Sequence, residues 1–371
     1  MKPALTIIYP QCEDSRKTHR LETLLEQVQK TYACDMITKL EDFHSLQGKR
    51  LLFAVPLGVS GINLEYFRFL KKMRLQTDML EGCMGSVLVD GESELYTKSV
   101  ARELLFTANL CGCAFPGRAM VEGTGSLQNF NIQAMNLDLD NMGAYTAATM
   151  DMTKRLLSFA PNPKKESNIL VLHASNHETS NTAMLWDMVK IHLHHCNITE
   201  ISLRNGTIQD CAGCPYKMCM HFSAKSSCYY GGVIVEQVYP AIQNCDALVL
   251  LCPNYNDALS ANITAFINRL TALFRKNQFF EKSIFALVVS GYSGGNLVAE
   301  QVISALSMNK TFRLPPRFAM LETANNPSSI LHVEGIAKRA EDFANHNDEC
   351  IGRVMTMRRG CHGIYRMYQK L

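Results

Sequence analysis

The apolar positions of this chain fall into short continuous runs separated by stretches with helical spacing. In the C-terminal half the runs are 169–173, 198–203, 246–252, 284–290 and 317–321. Between them, residues 181–194, 232–243, 259–275 and 296–307 repeat their apolar side chains with the period of a helix that buries one face. A strand covered on one face alternates, whereas a near-continuous apolar run is covered on both. The pattern therefore predicts an α/β fold built on a doubly wound parallel sheet of five strands. Such a sheet takes its ligands at the C-terminal edge of the strands, where strand order reverses.

The pattern occurs twice. GSVLVDG (85–91) aligns with FALVVSG (285–291) at an offset of 200, which also sets Pro116, Ala119, Met120 and Glu122 on Pro316, Ala319, Met320 and Glu322. FAVPLGVSGINLEYFRFL (53–70) aligns with LLCPNYNDALSANITAFINRL (250–270), so that Asn63 falls on Asn262 and Phe67 on Phe266. Strands and helices recurring in one order indicate a tandem duplication. The expected organisation is a first domain over 1–157 and a Pro- and Lys-containing linker over 158–166. A second domain over 167–347 and a basic tail over 348–371 follow.

Composition narrows the field without naming a function. With 371 residues, 47% hydrophobic and 19% charged, the chain can bury two cores. A net charge of +3 is too small to point to nucleic acid. The apolar runs are too short for a membrane span, and MKPALTIIYPQCEDSR has no signal-peptide core. Of the 14 cysteines, Cys83 and Cys252 sit in or beside apolar runs and read as small core residues. A reducing, cytoplasmic setting is the expectation.

Three loops of the second copy carry candidate chemistry. NILVLHASNHETSNT (168–182) passes from a strand through small polar side chains into a helix. Free N–H groups and the positive end of the helix dipole suit a phosphate there. Ser175, Ser180, Asn181 and Thr182 add neutral donors and His177 a cation. PNYNDALS (253–260) supplies Pro253, the amides of Asn254 and Asn256, and the ring of Tyr255. SGYSGGN (290–296) supplies Ser290, Gly291, Gly294 and Gly295, where backbone can approach a flat ligand, together with Tyr292. Each loop alone is also an ordinary turn. A phosphate cradle beside a slot for a planar polar ring describes flavin mononucleotide, FMN.

At these residues the second copy resembles the NAD(P)H-dependent FMN reductases and iron–sulfur flavoproteins, which have the flavodoxin-like fold. Members typically read SGSPRxxSNT where this chain has HASNHETSNT, with His177 in place of the usual arginine. They also read SPVYFGSxSAxLKAFIDR where it has CPNYNDALSANITAFINR. The resemblance implies Ser175, His177, Ser180, Asn181 and Thr182 at the phosphate. It implies Pro253, Asn254, Tyr255 and Asn256 along the isoalloxazine, with Ser290, Gly291 and Gly294 on its other side.

Cys211, Cys214, Cys219 and Cys228 form a C-x2-C-x4-C-x8-C cluster between the second strand and the next helix. Thiols this dense in a loop suit an iron–sulfur cluster, zinc, or redox-active free thiols. The resembled family carries a compact cysteine motif at the same place, which implies a [4Fe–4S] cluster. Cys111 and Cys113 read as structural. The basic tail, with Arg353, Arg358, Arg359, Arg366 and Lys370, reads as a solvated helix.

The first copy keeps the fold pattern but has YPQCEDSRKTHR and PLGVSG where the second has its SNT and Asn/Tyr elements. It reads as a degenerate domain, either a scaffold or a built-in partner for the flavin edge. The sequence thus points to an FMN-dependent oxidoreductase that takes electrons from NAD(P)H and hands them to an unidentified acceptor. It names no catalytic side chain. A non-enzymatic flavin or iron–sulfur electron carrier, or a redox sensor, is the rival. A homo-oligomer or a pseudo-dimer within one chain is left open, with no nucleic-acid or membrane partner expected.

Overall fold

The computed structural model describes residues 5–13, 18–44, 46–160, 166–175, 178–204 and 208–352. His177 and the arginines of the basic tail lie outside them. The chain divides into two compact units, Met1–Ala160 with Leu314–Arg317, and Pro161–Arg313 with Phe318–Leu371.

In the first unit β1 (Leu5–Ile8), β2 (Cys34–Ile37), β3 (Arg50–Leu57), β4 (Met84–Gly91) and β5 (Met120–Gly123) form one sheet. Helices α1 (Thr18–Thr31), α2 (Leu64–Leu75), α3 (Thr97–Leu110), α4 (Asn131–Leu137) and α5 (Asn141–Ser158) cover it. The second unit's sheet contains β6 (Ser167–His173), β7 (Cys196–Ser202), β8 (Ala247–Pro253), β9 (Ser283–Ser290) and β10 (Ala319–Thr323). Its helices are α6 (Asn181–Lys190), α7 (Tyr216–Ser223), α8 (Tyr239–Asn244), α9 (Ala261–Phe274), α10 (Gly295–Val302) and α11 (Ile336–Gly352).

The strand orders are β2-β1-β3-β4-β5 and β10-β9-β8-β6-β7, the same order read from opposite ends. Every strand pair is parallel. This is the doubly wound flavodoxin-like order, with its switch point between the first and third strands of each sheet. Burial follows from that order. In β4 and β9 nearly every residue is buried, because helices cover both faces. The edge strands β2 and β7 are mostly half-exposed or exposed. In the second unit Val171, Val249, Leu251, Phe285 and Leu287 pack under Trp186 of α6 and Phe343 of α11.

The duplication offset holds in three dimensions, since β4 and β9 start one residue apart after the shift of 200, as do β5 and β10. Side-chain fates have nevertheless diverged. Phe266 is fully buried on α9, but its counterpart Phe67 on α2 is 45% exposed.

Several boundaries differ from the pattern. α6 stops at Lys190 rather than 194, because His192 and Leu193 close 3₁₀-type turns onto Val189 and Lys190 before β7 begins. The stretch 232–243 is a π-helical turn over Ile234–Val238 followed by α8. Pro240 has no N–H to return to the preceding turn. The cysteine-rich segment contains α7, and α11 is an amphipathic helix that runs across residue 347. Among the described residues no helix is long and apolar enough to cross a membrane, and no described cysteine forms a disulfide. Cys83, Cys111, Cys113 and Cys252 are buried, and burial pushes the Cys83 thiol up to about 11.

At the C-terminal edge of the first sheet, the end of β4 is closed by an ion pair. Arg20 of α1 grips Asp90, at the end of β4, through Nε at 2.8 Å and Nη2 at 2.9 Å. The Tyr145 hydroxyl donates to the same carboxylate at 3.0 Å, and Arg20 also donates to the Gly91 carbonyl at 3.1 Å. Asp90 occupies the position that Ser290 holds in the second sheet. Nearby, Gly61 has a φ of +74° and lies against the Tyr96 ring, with no room for a Cβ. Removing one partner of this buried pair strands the other charge. Arg20→Ala is expected to destabilise the first unit by about 3–5 kcal/mol in urea unfolding, and Arg20→Ala with Asp90→Ala by less.

Candidate functional site

The second sheet offers a different edge, assembled from the ends of β6, β8, β9 and β10. Three helices start there. α6 begins because Ser180 Oγ accepts from the Ala183 N–H at 3.2 Å, a side-chain N-cap. α9 begins at Ser260, whose hydroxyl makes no cap bond, and α10 begins at Gly294 in the left-handed region. Three helix N-termini give this rim a positive partial charge suited to an anion.

Side chains tie the loops into one framework. Asn181 Nδ2 donates to the carbonyls of Ala324 and Asn326 at 3.1 and 2.8 Å, and its Oδ1 accepts from the Ile330 N–H at 3.2 Å. The Ala324 N–H donates to the Ser290 carbonyl at 2.9 Å. Ser290 Oγ in turn accepts from Asn254 Nδ2 at 3.1 Å, and the same amide reaches the Ser293 carbonyl at 2.8 Å and Asp257 at 3.2 Å. The loops after β6, β10, β9 and β8 are thus joined by an unbroken run of contacts.

Within that framework the expected residues take different parts. Asn181 is a clasp: both ends of its amide are engaged with the segment after β10. Thr182 is buried at the first turn of α6, and Ser175 is 5% exposed with its hydroxyl unpartnered. Asn256 and Asp257 have φ of 54° and 57° and make a tight turn in which Tyr255 and Ala258 exchange backbone hydrogen bonds. Two successive positive φ values define a type I′ turn, which Asn and Asp tolerate well. Gln301 of α10 fastens it, accepting from the Leu259 N–H at 3.1 Å and donating to the Asp257 carbonyl at 2.7 Å. Tyr255 and Tyr292 are 59% and 81% exposed on this edge, free to offer their faces to a ring.

The glycines divide into two kinds. Gly294 has a φ of +81°, and a Cβ there would collide with the Asp257 carboxylate. At Gly291 a Cβ would meet only Asn325 Oδ1, at 3.7 Å, so the protein leaves open space beside that backbone. Four buried polar atoms without a partner, Ser175 Oγ, Ser202 Oγ, Asn254 Oδ1 and Ser260 Oγ, belong to residues at or beside this edge. Buried polar groups are normally paired. A polar ligand with a phosphate and a hydrogen-bonding ring fits such a rim, so these residues suit FMN. Ser202 and the free cap of Ser260 escaped the sequence reading. Ser202 ends an edge strand with no motif, and an unused N-cap looks in sequence like a used one.

The four clustered cysteines border a different cavity, shared with α9. Cys214 lies 3.7 Å from the Tyr230 hydroxyl, and this contact, followed by desolvation, raises the phenol's pKa. Among the described residues no three His, Cys, Asp or Glu are gathered closely enough to hold a metal ion.

Residues 167–326 match the family model described as NADPH-dependent FMN reductase. The matched segment begins with β6 and ends just past β10, and it contains all three loops of the rim. The second unit is accordingly similar to the NADPH-dependent FMN reductases over this segment. Several solved structures are similar to about half of the chain. RosB, with a bound 8-demethyl-8-formylriboflavin-5'-phosphate intermediate, is 14% identical, with 50% of this chain and 78% of that one covered at a TM-score of 0.40. An NAD(P)H:quinone oxidoreductase from Methanothermobacter marburgensis is 12% identical, with 49% and 96% covered at a TM-score of 0.38. An FMN-dependent NADH-azoreductase from Bacillus anthracis, in complex with FMN, is 8% identical, with 49% and 99% covered at 0.34. No curated protein matches the chain.

Gly294→Ala is expected to cost about 1–3 kcal/mol in urea unfolding, from its left-handed φ and the crowding by Asp257. Asn181→Ala removes three hydrogen bonds and is expected to cost about 2–4 kcal/mol by the same measurement.

Proposed function

We propose that the second unit holds FMN along this rim, takes hydride from NAD(P)H, and passes electrons to a separate acceptor. The observation that carries the reading is the set of unpartnered polar atoms, Ser175 Oγ, Ser202 Oγ, Asn254 Oδ1 and Ser260 Oγ, at or beside one sheet edge. Ser175, Ser180, Thr182 and the N-terminus of α6 would receive the phosphate. His177, two positions after Ser175 in the sequence, would add its charge. Pro253 to Asn256 and Ser290 to Gly294 would flank the ring, with Tyr255 and Tyr292 available to shield it from water.

Bound FMN supplies the hydride-accepting chemistry, and the protein's part is placement and electrostatics. Asn254 and Ser290, fixed to each other, hold a polar wall at a constant position beside the ring. The helix N-termini favour added negative charge on a reduced cofactor. No side chain is required as acid or base. No step of this scheme is routed through Cys211, Cys214, Cys219 and Cys228.

The test is anaerobic. Purified protein titrated with FMN is expected to quench flavin fluorescence at one equivalent per chain, and NADPH or NADH should then bleach the visible flavin absorption. Flavin that binds but stays oxidised until dithionite is added would mark an electron carrier instead. Failure to bind FMN would overturn the reading. Ser175→Ala removes a buried donor to a charged group and is expected to weaken FMN binding by tenfold or more, since such a bond contributes about 1.5–3 kcal/mol.

A further inference from the structure

The cavity bordered by the clustered cysteines has a volume of about 540 Å³, within the usual range of small-molecule sites. It lies between the 211–230 segment, α9 from Ile267 to Arg275, and residues 305–310. Ala261, at the rim of the flavin edge, is eight residues from Arg269, or about 12 Å at the rise of an α-helix. The two sites are therefore separate places on one unit.

Two features of the wall define a ligand. The first is aromatic: Phe222, Tyr229 and Tyr230 follow one another edge-on, with centroids 5.7 and 5.3 Å apart. The second is charge. Arg269, Arg275 and Lys310 line the cavity, and among the described residues no Asp or Glu does. Arg269 is only 2% exposed, and its two terminal nitrogens donate to neutral carbonyls, Gln209 at 3.2 Å and Gly231 at 2.6 Å. Its Nε is buried without an acceptor. Arg275 meets the Tyr216 ring at 5.0 Å and the Met220 sulfur at 3.7 Å. A buried guanidinium without an anionic partner is costly and matches a carboxylate in shape and charge.

We propose that this cavity binds a small aromatic carboxylate, its ring against Tyr229 and Tyr230 and its carboxylate toward Arg269. Cys211, Cys214, Cys219 and Cys228, which border the space, report occupancy through their accessibility.

The experiment uses the full chain with 2-naphthoate and its neutral isostere 2-naphthamide. Calorimetry is expected to give one naphthoate site per chain and at least tenfold weaker binding of the amide. Naphthoate should slow iodoacetamide labelling of the four cavity cysteines, mapped by peptide mass spectrometry, and leave Cys12 and Cys34 unchanged. Tyr229→Ala, at a position 58% exposed, should weaken binding while the circular dichroism spectrum is retained. Absence of binding, equal binding of acid and amide, or unchanged labelling of the four thiols would each overturn the proposal. FMN titration of the same samples reads the flavin edge separately, so either site can fail without the other.

Discussion

A parallel sheet brings all its strands to an end on the same side, and that constraint governs both units of this chain. Each strand stops where a loop must turn into a helix running the other way, so helix N-termini and free backbone groups collect on one rim. The backbone alone gives the rim polar groups and a positive partial charge. What differs between the two copies is how that shared demand is met.

In the first copy the rim is met from within. Asp90 stands where the second copy has Ser290, and Arg20 and Tyr145 close on its carboxylate. A bidentate guanidinium satisfies the acid, and the acid neutralises the cation, so the end of β4 is closed. In the second copy the corresponding serine accepts from Asn254, and that asparagine keeps a buried oxygen without a partner. Asp90 with Arg20 and Tyr145 in one copy, against Ser290 with Asn254 in the other, separates an end closed by an ion pair from one that still has hydrogen-bonding capacity to offer. Duplication preserved the scaffold, because the apolar strands that build it pack in the same way with either rim.

The second unit also separates rigidity from binding. Asn181, Gln301 and the Asn256–Asp257 turn act on the protein itself, joining the loop after β6 to the segment after β10 and the loop after β8 to α10. Ser175, Ser260 and the open space beside Gly291 remain for a ligand. A motif such as SNT therefore mixes two duties: Ser180 caps the helix and Asn181 clasps a neighbouring loop, while Ser180 and the buried Thr182 are also the hydroxyls proposed for the phosphate. Motif residues cluster because the fold needs some of them and the ligand needs others.

The sequence alone determined the duplication and the parallel sheets, because continuous apolar runs and helical periods are local signals set by burial. It also marked the loops after β6, β8 and β9, since small and amide side chains stand out against such runs. Tertiary structure decided which of those side chains look inward. Asn181 and Asn254 are both asparagines in loops, yet only their neighbours from distant segments show that one has both ends of its amide engaged and the other keeps an unpaired oxygen. The same holds for Arg269, a single cation in an amphipathic helix whose missing counter-charge depends on what the 211–230 segment lays over it. Spacing in a chain records period and composition; the pairing of polar groups depends on residues far apart in sequence.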